Sequence, residues 1–236
     1  MPDSSLHPLF LMSKAHSISR FASLVFDLDG TLVDSAADIT TAMSMTMTAL
    51  GLPPLPQGYI MPNLHSTADT IIGDVFRDLG HPPPEDMQAT RALFYDHYAR
   101  FGHATSVLYP GAREFLRSCA DRGQKLAICT NKRENTAREV LALLDVLDCF
   151  QAITGCDTYE EPKPSAVPLL RTLERMGVSR DEAVFFGDTQ ADAECAQRSQ
   201  VGFALHRPGY GAQAAARFPR LLAFDHYSEF GLPANA

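Results

Sequence analysis

Several features that define other classes of protein are missing from this chain. Its five cysteines form no C-x-x-C pair, and their odd number and irregular spacing predict free thiols in a reducing compartment, not disulfides or a zinc site. No apolar run approaches the ~20 residues that a membrane-spanning helix needs. The N-terminal segment also lacks the apolar core and small-residue cleavage site of a secretory signal. We therefore predict a cytoplasmic protein that does not engage a membrane.

Positive charge is scarce as well. The chain has 20 lysines and arginines against 28 aspartates and glutamates, which gives a formal net charge of −8. This balance argues against nucleic acid or an anionic membrane as the main partner. Apolar residues make up 45% and charged residues 20% of the 236 residues, as expected for a globular protein of one large or two small domains. Composition leaves open whether the chain is a monomer or a homodimer.

Short apolar runs alternate with helical patterns over most of the chain. Strand-like runs occupy residues 24–26, 125–129, 152–154, 183–186 and 202–205. Helical spacing is found at residues 113–122, 134–144, 165–176 and 191–199. This alternation predicts an α/β fold, a Rossmann-like parallel sheet with helices on both faces. We assign residues 21–34 and 107–236 to this core, and residues 1–20 to a flexible N-terminal tail.

The segment from residue 35 to residue 106 has a different pattern. Its apolar residues recur at helical spacing, as in Ile39, Met43, Met47 and Leu50. Glycines stand where the helices would end, and prolines punctuate the connections between them. We therefore predict a helical cap domain over residues 35–106, inserted after the first strand of the sheet.

Two aspartates directly follow the first apolar run. Asp27 and Asp29 are two residues apart, so on an extended chain their side chains point the same way. Two like charges held that close are costly unless a cation lies beside them, and Mg²⁺ is the usual cation for oxygen ligands. Gly30 allows a sharp bend that exposes backbone N–H groups to an anion. This short segment can therefore supply a nucleophile, an acid, a metal ligand and an anion-binding turn.

Further polar residues fall at or beyond the ends of later strands. They are Thr130 and Asn131, Lys163, Asp188 and Asp192. Each has a plain structural reading when taken alone, such as a helix cap or a solvated loop lysine. Ligands of open parallel sheets, however, bind beyond the carboxyl ends of the strands, where all of these side chains can converge. Four carboxylates and a lysine at one edge indicate metal-assisted phosphoryl transfer.

These motifs together resemble the haloacid dehalogenase superfamily. The resemblance rests on Asp-Leu-Asp-Gly-Thr from Asp27, then Thr130, then Lys163, then Gly-Asp-x-x-x-Asp ending at Asp192, and covers nearly the whole chain. A helical insertion after the first motif resembles the members with a helical cap. The stretch from Phe26 to Ala36 is most similar to the phosphoglycolate phosphatase group.

The resemblance implies a role for each acidic residue. Asp27 would be the nucleophile that forms an aspartyl-phosphate. Asp29 would be the general acid and then the base that activates water. Mg²⁺ would be held by Asp27, the backbone carbonyl of Asp29, and Asp188, while Asp192 would support the metal site or bind through water.

The resemblance also implies how the phosphoryl group is bound. Thr130 and Lys163 would neutralise its charge together with backbone N–H groups after Asp27, and Asn131 would help to position the phosphate. Asp29 favours phosphate esters over haloacids, because a leaving halide needs no proton. Thr31 is typical of the phosphatases, whereas sugar-phosphate mutases tend to have an apolar residue there. The implied activity is hydrolysis of a small phosphorylated metabolite.

The cap departs from the pattern of the phosphoglycolate phosphatases. Those enzymes usually carry a glycine-rich stretch with a basic residue after the first cap helix, and this chain has residues 59–67 there instead, with His65 as a candidate for substrate contact. Substrate choice is therefore open at this stage. The alternatives are a phosphomutase or a pyrophosphate-cleaving enzyme on the same core, and an inactive scaffold that binds a partner.

Overall fold

A parallel sheet of six strands forms the centre of the protein. The computed structural model describes residues 14–64, 66–101 and 103–231. In chain order the strands of both sheets are β1 (Ser23–Phe26), β2 (Val33–Asp34), β3 (Val107–Leu108), β4 (Lys125–Cys129), β5 (Ala152–Thr154), β6 (Ala183–Gly187), β7 (Gly202–His206) and β8 (Leu222–Phe224). The sheet order is β5-β4-β1-β6-β7-β8, with every neighbouring pair parallel. Strands β2 and β3 form a separate antiparallel pair.

Helices lie on both faces of this sheet and in the segment between β2 and β3. In chain order they are α1 (Lys14–Ser19), α2 (Ala36–Ala49), α3 (Ala68–Asp78), α4 (Met87–Phe101), α5 (Ala112–Asp121), α6 (Glu134–Leu143), α7 (Val167–Met176), α8 (Gln190–Ser199) and α9 (Ala212–Ala215). Side chains alternate across β1, so Leu24 and Phe26 join the core beneath α5 and α6, whereas Val25 joins the core beneath α7 and α8. The predicted α/β fold is confirmed. No helix of the described residues is both long and apolar enough to cross a membrane.

Helices α2, α3 and α4 have a hydrophobic core of their own. It includes Met43 and Met47 from α2, Ile72 and Val75 from α3, and Phe94 from α4. The three helices lie between β2 and β3 in the chain, and this strand pair joins them to the sheet domain. Burial of both methionines agrees with a packing role, which their flexible side chains suit. We call these three helices and their connections the cap.

Asp38 links the two segments by which the chain passes between the core and the cap. Its carboxylate accepts hydrogen bonds from the backbone N–H and the hydroxyl of both Thr105 and Ser106, at 2.6 to 3.2 Å. Asp38 lies at the start of α2, and the two donors lie just before β3. Burial alone would raise the pKa of this carboxyl, but the four donors outweigh it and the pKa is lowered.

We expect Asp38→Asn to destabilise the protein by about 2 to 3 kcal/mol at pH 7, because an amide cannot accept all four donors. A carboxyl with a lowered pKa in the folded state stabilises above its unfolded pKa of about 3.9, and this contribution is lost as the pH falls below that value. Urea unfolding at pH 7 and at pH 3.5 checks the prediction, with the exposed Asp148→Asn as control. An equal deficit at both values would contradict the role of the ionised carboxylate.

Part of the segment predicted as a flexible tail is helical. Residues 1–13 lie outside the described part of the chain, but α1 is helical and Ile18 is fully buried in the core beneath α5. The C-terminal region adds an element that was not predicted from the sequence. Strand β8 and a 3-10 turn at Tyr227–Phe230 place Phe224, Tyr227 and Phe230 in the same core.

The cysteines form no disulfide among the described residues. All five are unpaired, and Cys119, Cys129, Cys149 and Cys195 are buried, while Cys156 is half-buried. Burial raises the pKa of the Cys119 thiol to about 12, which makes it unreactive near neutral pH.

Candidate active site

Three neighbouring strands deliver the predicted residues to one edge of the sheet. Asp27 follows β1, Thr130 follows β4 and Asp188 follows β6, and β1 lies between the other two strands. The backbone continues the pairing past the strand ends, since the N–H of Asp27 donates to the carbonyl of Phe186 at 2.8 Å. All three side chains are buried. The sheet therefore fixes their separation before any ligand binds.

Three carboxylates form a compact cluster at this edge. Asp27, Asp188 and Asp192 each contribute an oxygen, and these oxygens lie within 4.8 Å of one another. Burial, and next the charge of Asp192, raises the pKa of Asp27 to about 6. Burial, and then the charges of Asp192 and Asp27, also raises the pKa of Asp188. Three buried carboxylates that repel each other are suited to bind a cation.

A lysine lies within the same cluster. The Nζ of Lys163 is 2.8 Å from Oδ1 of Asp27 and 2.6 Å from Oδ1 of Asp192. Burial disfavours the charged ammonium, but the charges of Asp192 and Asp27 outweigh burial and raise the pKa of Lys163. Asp27 Oδ1 accepts no properly angled hydrogen bond from the described residues, although it is buried. This oxygen is therefore a candidate ligand for a metal ion.

Asn131 supports this lysine through its backbone. Its Oδ1 accepts from the N–H of Lys163 at 3.0 Å, and its Nδ2 donates to the carbonyl of Lys163 at 3.2 Å. The peptide bond from Lys163 to Pro164 is cis. Both polar ends of the Asn131 side chain are thus engaged with protein. This geometry favours a role for Asn131 in positioning Lys163 over a role in binding phosphate itself.

The two aspartates after β6 are held by different partners. Asp188 accepts hydrogen bonds from the hydroxyl of Thr31 and from the backbone N–H of Tyr210, both at 2.7 Å. Asp192 accepts from the hydroxyl of Thr189 at 2.6 Å and from the backbone N–H of the same residue at 3.0 Å. Thr189, not Asp188, is the N-cap of α8. The structural alternative for Asp188, a helix cap, is therefore wrong.

Two glycines allow the backbone to approach Asp188 closely. Gly30 has a φ of +85°, and a Cβ there would lie 2.4 Å from Oδ2 of Asp188. A Cβ on Gly209 would lie 2.1 Å from the Cβ of Asp188. Gly30 was expected at a ligand-facing turn, whereas Gly209, in the loop after β7, was not identified from the sequence. The aspartate is enclosed by backbone on both sides, which fixes its position.

Asp29 lies apart from the three-carboxylate cluster and has its own cation. The Nζ of Lys132 donates to both of its oxygens at 2.9 and 2.8 Å, and the hydroxyl of Ser35 donates to Oδ1 at 2.5 Å. Lys132 and Ser35 are site residues that were not identified from the sequence. Lys132 follows Thr130 and Asn131 in the same turn after β4. This position in the sequence could have identified it as a site residue.

A cavity lies between this edge of the sheet and the cap. Asp27, Asp29, Thr130, Asn131 and Lys132 line it from the core. The cap lines it with residues such as Ile39, Leu64, Ile71, Phe94, Tyr95 and Tyr98. His65, the candidate for substrate contact in the cap loop, lies outside the described residues. Of the predicted residues, Asp27, Asp29, Thr130 and Asn131 therefore face the space between the core and the cap.

Comparisons with known proteins relate this chain to one family of hydrolases. The family described as haloacid dehalogenase-like hydrolase matches residues 24–206. The chain is 33% identical over 214 residues to a phosphoglycolate phosphatase of Rhodospirillum rubrum, covering 89% of each chain. It is 35% identical over 191 residues to one of Aquifex aeolicus, covering 79% of this chain and 85% of that one. A predicted phosphoglycolate phosphatase from Haemophilus somnus has the same fold, with a TM-score of 0.81 at 24% identity over 89% of this chain and 96% of that one.

The chain belongs to the haloacid dehalogenase-like hydrolases. The family match contains Asp27, Asp29, Thr130, Lys163, Asp188 and Asp192. The predicted superfamily, and its enzymatic character as a hydrolase, are confirmed. Members of this kind generally depend on a metal ion, and the acidic cluster fits that requirement.

Proposed function

We propose that this protein is a Mg²⁺-dependent phosphatase that hydrolyses a small phosphorylated metabolite. Its relatives over most of the chain are phosphoglycolate phosphatases. The single observation that carries the proposal is the environment of Asp27. This buried carboxylate lines the cavity, contacts the ammonium of Lys163, and lies within 4.8 Å of two further carboxylates. A nucleophile, a cation and a metal site thus meet at one point.

The acidic cluster is the place for the metal ion. Asp27, Asp188 and the backbone carbonyl of Asp29 would hold it, and Asp192 would support it. When bound, Mg²⁺ offsets the charge of the phosphate and of the developing transition state. The donor set fits this ion, because all of these groups are oxygens and two of the carboxylates bear raised pKa values that a cation would lower.

The first chemical step is attack by Asp27. A carboxylate oxygen of Asp27 forms a bond to phosphorus while the bond from phosphorus to the leaving oxygen breaks. Asp29 must be protonated in the substrate complex; it gives this proton to that oxygen, so the leaving group departs as a neutral alcohol. Lys163 and the hydroxyl of Thr130 bind the phosphoryl oxygens and stabilise their charge.

The second step releases the phosphate. Asp29, now ionised, takes a proton from a water molecule, and the resulting hydroxide attacks the phosphorus of the aspartyl-phosphate. The bond between phosphorus and Asp27 breaks, which regenerates the free carboxylate and yields inorganic phosphate. The cap covers the cavity and excludes bulk water during the first step.

The remaining expectations concern the setting of the enzyme. We propose that it acts in the cytoplasm, in agreement with its five unpaired cysteines. Its net charge of −8 supports a small-molecule substrate and not nucleic acid. We propose a monomer or a homodimer.

Phosphate release from a panel of phosphorylated metabolites tests the function. The panel includes 2-phosphoglycolate, and each assay is run with Mg²⁺, with EDTA, and with Mg²⁺ in excess over EDTA. We expect release with Mg²⁺, loss of at least about 100-fold with EDTA, and full recovery on re-addition. Equal release with EDTA would contradict the metal site. An isomerised product without free phosphate would indicate a mutase, and no turnover on any substrate would favour a binding protein.

A further inference from the structure

Lys132 holds Asp29 by both of its carboxylate oxygens. The Nζ of Lys132 donates to Oδ1 at 2.9 Å and to Oδ2 at 2.8 Å, and the two side chains are only 8% and 11% exposed. Burial would lower the pKa of Lys132, but Asp29 and Tyr98 outweigh it and the pKa is raised, so the side chain stays an ammonium. A buried cation thus fixes the direction in which this carboxyl group points.

The cap reaches the same lysine through Tyr98. This tyrosine lies on α4, is 3% exposed, and lines the cavity beside Asp29 and Lys132. The Nζ of Lys132 is 4.6 Å from the centroid of the tyrosine ring and forms a hydrogen bond with the tyrosine hydroxyl. The three protons of the ammonium are therefore taken up by the two oxygens of Asp29 and the hydroxyl of Tyr98. Lys132 thus links the cap to Asp29.

A second contact reaches Asp29 from the start of the cap. Ser35 directly precedes α2, where the chain leaves the core, and its hydroxyl donates to Oδ1 of Asp29 at 2.5 Å. The backbone N–H of Ser35 donates to the hydroxyl of Tyr210 at 2.8 Å, which holds this residue against the core. Oδ1 of Asp29 thus accepts from Ser35 as well as from Lys132, whereas Oδ2 accepts from Lys132. With Oδ1 held in this way, Oδ2 is the oxygen that can carry a proton.

We propose that Lys132 is a positioning residue that turns Asp29 toward the leaving oxygen, and that Tyr98 makes this orientation depend on a closed cap. The inference rests on the proposed phosphatase function and deepens it. With the cap closed, Oδ1 of Asp29 keeps its bonds to Ser35 and Lys132. The proton on Oδ2 goes to the leaving oxygen as the bond from phosphorus to that oxygen breaks.

Cap opening would undo this arrangement. Tyr98 moves away with α4, so Lys132 loses one of its three partners and holds Asp29 less firmly. The acid is therefore in place only when the cap has excluded bulk water from the cavity.

Two substrates that differ in their need for a proton test this role. One is the alkyl phosphate of the panel that the wild type hydrolyses fastest, and its alcohol must be protonated as it leaves. The other is acetyl phosphate, whose acetate leaves as a stable anion. We expect Lys132→Met to lower the ratio of kcat/KM values (alkyl ester over acetyl phosphate) roughly 10- to 100-fold. Tyr98→Phe, which keeps the ring beside the lysine, should lower the same ratio about 3- to 10-fold.

A double variant shows whether Lys132 acts through Asp29. Asp29→Asn removes the acid and should lower kcat/KM for the alkyl ester roughly 100-fold or more. In that background Lys132→Met should change the value less than about 3-fold, because no acid is left to position. If Lys132 instead binds the phosphoryl group, the two losses should multiply, which would overturn the inference. This cycle uses the alkyl ester alone, so it is decisive even if acetyl phosphate is a poor substrate.

Arg133→Met is the matched control. Arg133 also lies over a cap tyrosine, 5.1 Å from the ring centroid of Tyr95, and is also paired with an aspartate, but it faces a separate cleft beside the cavity. We expect its ratio of kcat/KM values to stay within about twofold of wild type, because its ion pair is partly exposed and distant from the reacting atoms.

The outcomes separate this inference from the function beneath it. No release of phosphate from any ester by the wild type would overturn the proposed function. Release by the wild type, with an unchanged ratio in both Lys132→Met and Tyr98→Phe, would overturn only the role of Lys132. Thermal unfolding of each variant shows whether it is folded, and a folded Tyr98→Phe keeps the test decisive if Lys132→Met is not stable.

Discussion

Asp27→Asn is expected to abolish turnover while leaving the metal-free protein at least as stable as the wild type. An amide oxygen is a poor nucleophile and cannot form the aspartyl-phosphate, so kcat should fall roughly 10⁴-fold or more. Substrate binding should survive, because Lys163, Thr130 and the cavity remain. Phosphate release and substrate titration measure the two effects separately.

The expected stability of metal-free Asp27→Asn follows from the pKa of Asp27. Its value of about 6 in the folded state lies above the ordinary value of 3.8. The folded state therefore binds more protons than the unfolded state between pH 4 and pH 6, and metal-free wild type loses stability as the pH rises through that range. At pH 7.5 the ionised group opposes folding, and Asn removes that cost, by about 1 to 3 kcal/mol.

Urea unfolding in EDTA at pH 7.5 and pH 5 checks the sign. The advantage of Asp27→Asn should shrink at pH 5, where the wild type is partly protonated. Asp148→Asn, an exposed aspartate paired with Arg117, is the control and should change little at either pH. A variant that is less stable than wild type at pH 7.5 would mean that Asp27 contributes more as the partner of Lys163 than it costs by repulsion.

The sequence predicted the sheet and the residues at its edge because both follow local rules. Buried parallel strands are short apolar runs, and β4 at Lys125–Cys129 and β5 at Ala152–Thr154 were predicted at these bounds. Asp27, Thr130 and Asp188 directly follow such runs, and the carboxyl ends of parallel strands share one edge. Once the strands are placed, so are these side chains. Their roles in the reaction remain proposals.

Other parts of the site depend on contacts that are distant in the sequence. The backbone of Tyr210 reaches Asp188 across 22 residues, and no local pattern marks Gly209 as the close neighbour of that aspartate. The pair of Lys132 and Asp29 joins residues 103 positions apart. Burial of Ile18 in the core likewise depends on packing, because α1 is a short helix of six residues with weak propensity of its own.

Lys163→Met is expected to cause the largest loss of stability in metal-free protein. Its ammonium lies 2.8 Å from Asp27 and 2.6 Å from Asp192, and all three groups are buried. Removal of the cation leaves the carboxylates of Asp27, Asp188 and Asp192 facing one another. Breaking a buried ion pair by removing one partner typically costs about 3 to 5 kcal/mol. Activity should fall as well, because the phosphoryl oxygens lose a charged donor.

Mg²⁺ should restore part of this loss, since a divalent cation in the acidic cluster supplies positive charge where the ammonium was. Each protein is purified in Mg²⁺ and titrated with EDTA. The difference in melting temperature between the Mg²⁺-bound and the metal-free protein should be greater for Lys163→Met than for wild type. Lys125→Met is the matched control, because Lys125 lies at the opposite end of β4 and its Nζ donates to the backbone carbonyl of Met176.

A second substitution separates charge from packing. If repulsion causes the loss, Asp27→Asn in the Lys163→Met background should recover stability, because it lowers the number of buried charges. If the loss comes from the space left by the lysine chain, the double variant should be no more stable than Lys163→Met. A double-mutant cycle in EDTA measures this coupling, and we expect it to be favourable by about 1 to 3 kcal/mol. A coupling near zero would contradict the electrostatic account of the cluster.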